Sequence, residues 1–276
     1  MGAVSTPARP SAQQVADVRD AVAREHPLVQ CLTNSVVTTI TANVLLAAGA
    51  APAMVDNPRE AAQFARLASA VLVNVGTLDD ERARAMALAA EAARGAGTPW
   101  VLDPVAVGGL AFRTSVAREL LQHRPDVVRA NASEVLGLEG SGTGGRGVDS
   151  TAGAEDALAA AHRLAERTGG VVAVSGEVDV LVHGGREVRV RGGSPLLTRT
   201  TGAGCALGAL VAACTAAAGD PLLGAVTAHA HVALAAERAA ARAGGPGSFA
   251  VAWVDELDAV DAAALRADVE RGGRLA

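Results

Sequence analysis

Short runs of β-branched residues alternate along this chain with longer alanine-rich stretches of helical period. That alternation is the pattern of a mostly parallel sheet covered by helices on both faces. The apolar runs predict strands over Leu28–Leu32, Ala51–Val55, Ala70–Val75, Trp100–Asp103, Asp126–Arg129 and Val171–Ser175. Between them, helices are predicted over Ser35–Ala48, Pro58–Leu67, Asp79–Arg94, Arg113–His123 and Gly153–Arg167, with an earlier one from near Ser11 to Glu25. After Ser175 the pattern changes. Val178–His183 and Arg186–Arg191 flank Gly184-Gly185, a two-residue hairpin signal that adds antiparallel strands to one sheet edge. Beyond Gly202 the chain is predicted helical to Ala243, and again from about Val254. Gly140–Gly147 reads as a flexible loop.

Composition narrows the class. A chain of 276 residues, half of them apolar, fits one large α/β domain, with residues 1–10 as a flexible tail and no internal repeat. Aromatics make up 2% and tyrosine is absent, so the core must be built from aliphatic faces. The net charge is −5 and every cation is arginine. Without lysine, neither a Walker A phosphate loop nor a Schiff-base mechanism is available. Scattered arginines with few aromatics give no nucleic-acid surface. Three irregularly spaced cysteines predict neither a disulfide framework nor a zinc site, and suit a reducing compartment. No secretory h-region and no membrane-length apolar run is present, so a soluble, cytoplasmic protein without membrane partners is expected.

The candidate chemistry lies where strands end. In Thr200-Thr201-Gly202-Ala203-Gly204-Cys205, two glycines lead straight into a helix. Backbone N–H groups of Gly202, Ala203, Gly204 and Cys205, with the positive end of the helix, would form an anion hole for a phosphoryl group. A glycine-rich turn into a buried helix needs the same residues. Cys205 at the helix start is expected to have a lowered pKa and to accept a proton, or else to be a buried small apolar residue. Asn131 and Glu134 share a helical face after a strand. They read as an N-cap with its capping box, and Glu134 also as a Mg²⁺ holder through water, with Arg129 on phosphate oxygens. Asp103 ends a strand and faces the ligand crevice, or simply starts a turn at Pro104. Ser175-Gly176-Glu177 is a weaker phosphate or ribose candidate. His229 and His231, two apart on a helix, do not share a face and read as satisfied or solvated rather than as metal ligands.

Together these segments resemble the hydroxyethylthiazole kinases of the ribokinase-like superfamily. The likeness runs through Leu32–Met54, Asn74–Leu78, Leu102–Gly108, Arg129–Glu134, Gly147–Ser150, Ser175–Asp179, Thr200–Cys205 and Gly245–Phe249, in the family's order. It implies a three-layer α/β/α sandwich without a separate lid, assembled as a homotrimer with active sites between subunits. It also implies ATP-dependent phosphorylation of the hydroxyl of hydroxyethylthiazole, in the supply of thiamine. By resemblance, Met54, Gly202 and Asn34 meet the thiazole, and Arg129 and Ser175, with Asn131 beside them, meet ATP. Asp103 and Glu134 flank Mg²⁺, and Cys205 faces the substrate hydroxyl. Two departures stand out. Ala130 replaces the family's usual glycine, which would matter if that residue needed positive φ. Cys205 stands where the wider superfamily has Asp, so orientation of the hydroxyl is an alternative to base catalysis. Rival readings are a superfamily kinase for a pyrimidine or pyridoxal, a hydrate dehydratase of the same fold, or a nucleotide-binding regulator without catalysis.

Overall fold

The structure, a computed structural model, describes residues 9–140 and 154–276. The predicted tail (apart from its last two residues), the loop after Gly140 and the Gly147–Ser150 segment lie outside the described residues. Strands β1 (Leu28–Leu32), β2 (Ala51–Ala53), β3 (Ala70–Asn74), β4 (Trp100–Asp103), β5 (Val127–Asn131), β6 (Val171–Ser175), β7 (Val178–His183) and β8 (Arg186–Arg191) form one sheet. Its order is β2-β1-β3-β4-β5-β6-β7-β8, parallel through β6 and antiparallel beyond. The chain leaves β1 to one side for β2 and returns past it to β3. At such a reversal the connections diverge and open a crevice at the carboxyl ends of the strands.

Helices cover both faces. On one lie α1 (Ala12–Glu25), α2 (Thr38–Ala47), α8 (Ala203–Ala218), α9 (Pro221–Ala240), α10 (Pro246–Ala259) and α11 (Ala262–Glu270); on the other lie α3 (Ala61–Ala65), α4 (Asp80–Ala96), α5 (Ala111–Leu120), α6 (Ala132–Glu139) and α7 (Leu158–Thr168). Alternate strand residues serve the two cores: Leu72, Val101, Val127 and Ala173 face the first, and Val71, Leu102, Val128 and Val172 the second. Burial on both faces is why the strands read as continuous apolar runs. The expected three-layer sandwich is present, antiparallel hairpin included.

Boundaries moved where local chemistry decides them. The helix expected from Ser35 starts at Thr38, because Asn34 accepts the Val36 N–H and holds a turn. The long helical run splits at Gly219-Asp220-Pro221. Gly219 ends α8 at φ +62°, Asp220 accepts the N–H groups of Leu222 and Leu223, and Pro221 opens α9. α10 begins eight residues before the predicted Val254, since Pro246 is tolerated in a first turn. Among the described residues no helix is long and apolar enough to cross a membrane.

Candidate active site

Strand alternation aims one row of polar side chains at the start of α8. Asn74, Asp103, Arg129 and Ser175 each lie two residues beyond a side chain of the α8–α9 core, so they point to that face at the carboxyl edge. They form a continuous chain of contacts. Asn34, just past β1, donates to Asn74 Oδ1 (3.1 Å) and to Cys205 Sγ (3.5 Å). Asn74 donates to Asp103 Oδ2 (2.9 Å), which lies 3.9 Å from Arg129 Nη1. Arg129 Nη2 donates to Ser175 Oγ (2.9 Å).

The turn before α8 closes the site. Gly202 has φ +83°, and a Cβ there would lie 2.7 Å from Ile40 and 2.8 Å from Val37, so only glycine fits. At Gly204 a Cβ would come within 2.9 Å of Arg129 Nη1. The guanidinium therefore lies directly against the positive end of an α-helix that has no side-chain cap. Two positive ends held together make an anion site. One expected donor is already taken, because the Ala203 N–H goes to the Thr200 carbonyl at 3.2 Å. The hole narrows to Gly202, Gly204 and Cys205.

Burial sets the protonation states. Asp103 is fully buried, and burial pushes its carboxyl up to about 7; Arg129 and Asn74 oppose this and Glu134 adds to it. Burial also raises Glu134. Its two oxygens accept the N–H groups of Ala106 and Asn131, each at 2.9 Å. Asn131 Oδ1 in turn accepts from the Glu134 N–H (2.9 Å), so the capping box exists. Ala106 holds φ +57° to present its N–H, a strained position for a residue with a Cβ. Cys205 departs from expectation. Burial, with the charge of Asp103, pushes its thiol up to about 11.

A hard divalent cation fits this donor set. Asp103 Oδ1 is buried and has no hydrogen-bond partner, although the opposite oxygen is satisfied. No cluster of three or more acidic, histidine or cysteine ligands exists among the described residues. Such a cation would thus rely on Asp103, on Glu134 through water, and on phosphate oxygens of a ligand, as Mg²⁺ commonly does.

The structure brings Asn34, Asp103, Arg129, Glu134, Ser175 and Gly202–Cys205 to one edge. Met54 follows the edge strand β2, is 36% exposed and makes none of these polar contacts. Ala130 is buried within β5 and has no positive φ, so its methyl group is accommodated. Asn74 is not among the expected site residues, yet it is fully buried and links Asn34 to Asp103. Its sequence signal was there: it is the only polar residue in the run from Ala70 to Val75.

Comparison with known proteins gives a consistent result. The model of the Hydroxyethylthiazole kinase family matches residues 20–263. A hydroxyethylthiazole kinase of Kineococcus radiotolerans is 72% identical over 96% of both chains. The solved structure of a hydroxyethylthiazole kinase protein from Pyrococcus horikoshii superposes with a TM-score of 0.84 at 36% identity, covering 95% of this chain and 98% of the other. A pyridoxal kinase from Staphylococcus aureus, solved with AMP-PCP, gives a TM-score of 0.58 over 77% of this chain and 88% of its own. At 17% identity it shares the ribokinase-like fold alone.

Proposed function

The chain belongs to the hydroxyethylthiazole kinase family, and we propose that it transfers the γ-phosphoryl group of ATP to the hydroxyl of 4-methyl-5-(2-hydroxyethyl)thiazole. The product is the thiazole monophosphate used to make or salvage thiamine. The observation that carries this reading is the guanidinium of Arg129 against the bare start of α8, one residue from a thiol held by Asn34.

In this reading Arg129 and Ser175, with Asn131 beside them, hold the phosphates of ATP. Met54, Asn34 and Gly202 hold the thiazole. Mg²⁺, when bound by Asp103 and by Glu134 through water, supplies charge neutralisation on the phosphate oxygens. The substrate hydroxyl attacks the γ-phosphorus in line as the bond to ADP breaks. Charge gathering on the transferred group meets the N–H groups of Gly202, Gly204 and Cys205, and Arg129. The transition state is loose, so the hydroxyl keeps its proton until late and then passes it to an oxygen of the transferred phosphoryl group. A neutral Cys205 thiol that orients the oxygen then suffices, and the raised thiol pKa favours orientation over base catalysis. The chain works as one kinase domain in the cytoplasm, in a homotrimer whose neighbouring subunit completes each site. Supporting this, Val36 and Met54 expose apolar side chains just past Asn34 and β2, and Leu46 and Val251 expose theirs farther along α2 and α10.

The direct test is product analysis. Protein, Mg-ATP and hydroxyethylthiazole should give thiazole monophosphate and ADP in equal amounts by mass spectrometry. Phosphate arriving instead on pyridoxal or a hydroxymethylpyrimidine, with the thiazole untouched, would transfer the chain to another substrate class.

A further inference from the structure

The polar row at the carboxyl edge does not stop at Ser175. Asp179 on β7 lies two residues before Leu181, whose side chain belongs to the α8–α9 core, so it faces the same way as Arg129 and Ser175. Asp179 Oδ1 accepts the N–H of Gly176 at 2.9 Å, which ties down the Gly176-Glu177 turn immediately after Ser175. Its other oxygen lies 2.6 Å from Nδ1 of His229 on α9. The carboxylate can only accept, so the imidazole donates. The His229 side chain is completely buried, and its Nε2 has no partner among the described residues. An apolar side chain would fill this place at lower cost, because an unpaired buried nitrogen is unfavourable. A histidine kept there points to the one bond it does make.

We propose that His229 is a positioning residue for the phosphate end of the site. Its Nδ1–H fixes Asp179; Asp179 fixes the Gly176-Glu177 turn; the turn sets Ser175, and Ser175 sets the guanidinium of Arg129. Without His229, Asp179 (21% exposed) is free to swing to water, and the Gly176 N–H loses its acceptor. The proposal rests on the kinase reading, in which Arg129 meets ATP.

Three variants test it: His229→Leu, His229→Asn and Asp179→Ala. Asn can place an amide N–H near the position of Nδ1; Leu cannot. Mg-ATP affinity by calorimetry should fall about tenfold in His229→Leu and return to within about threefold of wild type in His229→Asn. KM for the thiazole should stay unchanged in both. Asp179→Ala should match His229→Leu, and the double variant should be no worse than either, since both act on one chain of contacts. If His229→Leu does not fold, Asp179→Ala carries the same prediction. Wild-type ATP affinity in Asp179→Ala, or no recovery with Asn, would overturn the proposal, as would equal shifts in both KM values. Wild-type protein that phosphorylates no thiazole would instead count against the kinase reading itself.

Discussion

The thiol of Cys205 is held between an amide that donates to it and a carboxylate that repels its ionised form. At neutral pH it therefore stays protonated. Cys205→Ala should lower kcat by only about tenfold, well short of the roughly 10²–10⁴ expected when a general base is lost. Steady-state kinetics distinguish these outcomes. Cys205→Asp should retain turnover, because a carboxylate can also hold the hydroxyl. Asp103 makes a prediction with a sign. Its folded pKa of about 7 lies above the ordinary carboxylate value, so the folded chain binds that proton more tightly than the unfolded one. Its stabilising contribution is fully present below pH 4 and is lost as pH rises through about 7. Asp103→Asn should abolish turnover yet gain on the order of 2 kcal/mol over wild type at pH 8, an advantage that disappears near pH 4. Metal-free thermal or urea unfolding at both pH values checks this. No gain at pH 8 would mean the buried charge is already compensated. Individual residues were readable to different depths. Asp103 and Arg129 stand out because each interrupts an apolar run near a strand end, and Glu134 because it sits three residues after Asn131 where a helix opens. The direction of the Cys205 shift was not readable, because burial depends on what the fold brings over the helix start. The sequence marks His229 only as satisfied or solvated, and the packed α9–β7 interface reveals its carboxylate.

Helix ends shape the site as much as side chains do. The start of α8 is held by the start of α2, where Val37 and Ile40 pack on Gly202. α2 is in turn anchored at its other end. Arg19, buried in α1, donates from Nε to the Val260 carbonyl (2.9 Å) and from Nη1 to the Ala48 carbonyl (3.2 Å). One guanidinium thus satisfies the carboxyl ends of α10 and α2, and opposes their negative dipole ends. Arg19→Met should cost about 3 kcal/mol in urea unfolding at pH 7, because two buried carbonyls lose their partner. A loss below about 0.5 kcal/mol would show that water replaces the arginine. The elements themselves were largely readable, since β-branched runs and Gly184-Gly185 mark strands by local chemistry. Failures occurred where local signals conflict. Gly-Pro-Gly before Ser248 reads as a loop, but Ser248 Oγ accepts the N–H groups of Gly244 and Gly245, so the segment opens α10. Pro58–Leu67 reads as a full helix, but α3 extends only over Ala61–Ala65.

Across the whole molecule, large apolar side chains are exposed on both helical faces, with Leu67, Leu110 and Phe112 on the α3–α5 side. Val36 (70% exposed), Leu46 (59%) and Val251 (66%) lie on the α2–α10 side. A partner subunit covering this face, as the proposed homotrimer requires, would bury them. Sedimentation equilibrium should give three times the mass of the chain. Leu46→Asp should shift the mass toward monomer and raise KM for the thiazole. A fully active monomer would remove the partner from the site. No sequence pattern could supply this assembly without the resemblance, because single exposed apolar residues are common on any surface. Beneath these expectations lies one placement: phosphate at the junction of Arg129 with α8. A crystal soaked with Mg²⁺, a non-hydrolysable ATP analogue and hydroxyethylthiazole tests it. The γ-phosphate should lie within hydrogen-bonding distance of the Gly204 or Cys205 N–H and of Arg129, with the thiazole hydroxyl beside Cys205. Phosphates bound elsewhere on the carboxyl edge, with that helix start left in contact only with water, would contradict it.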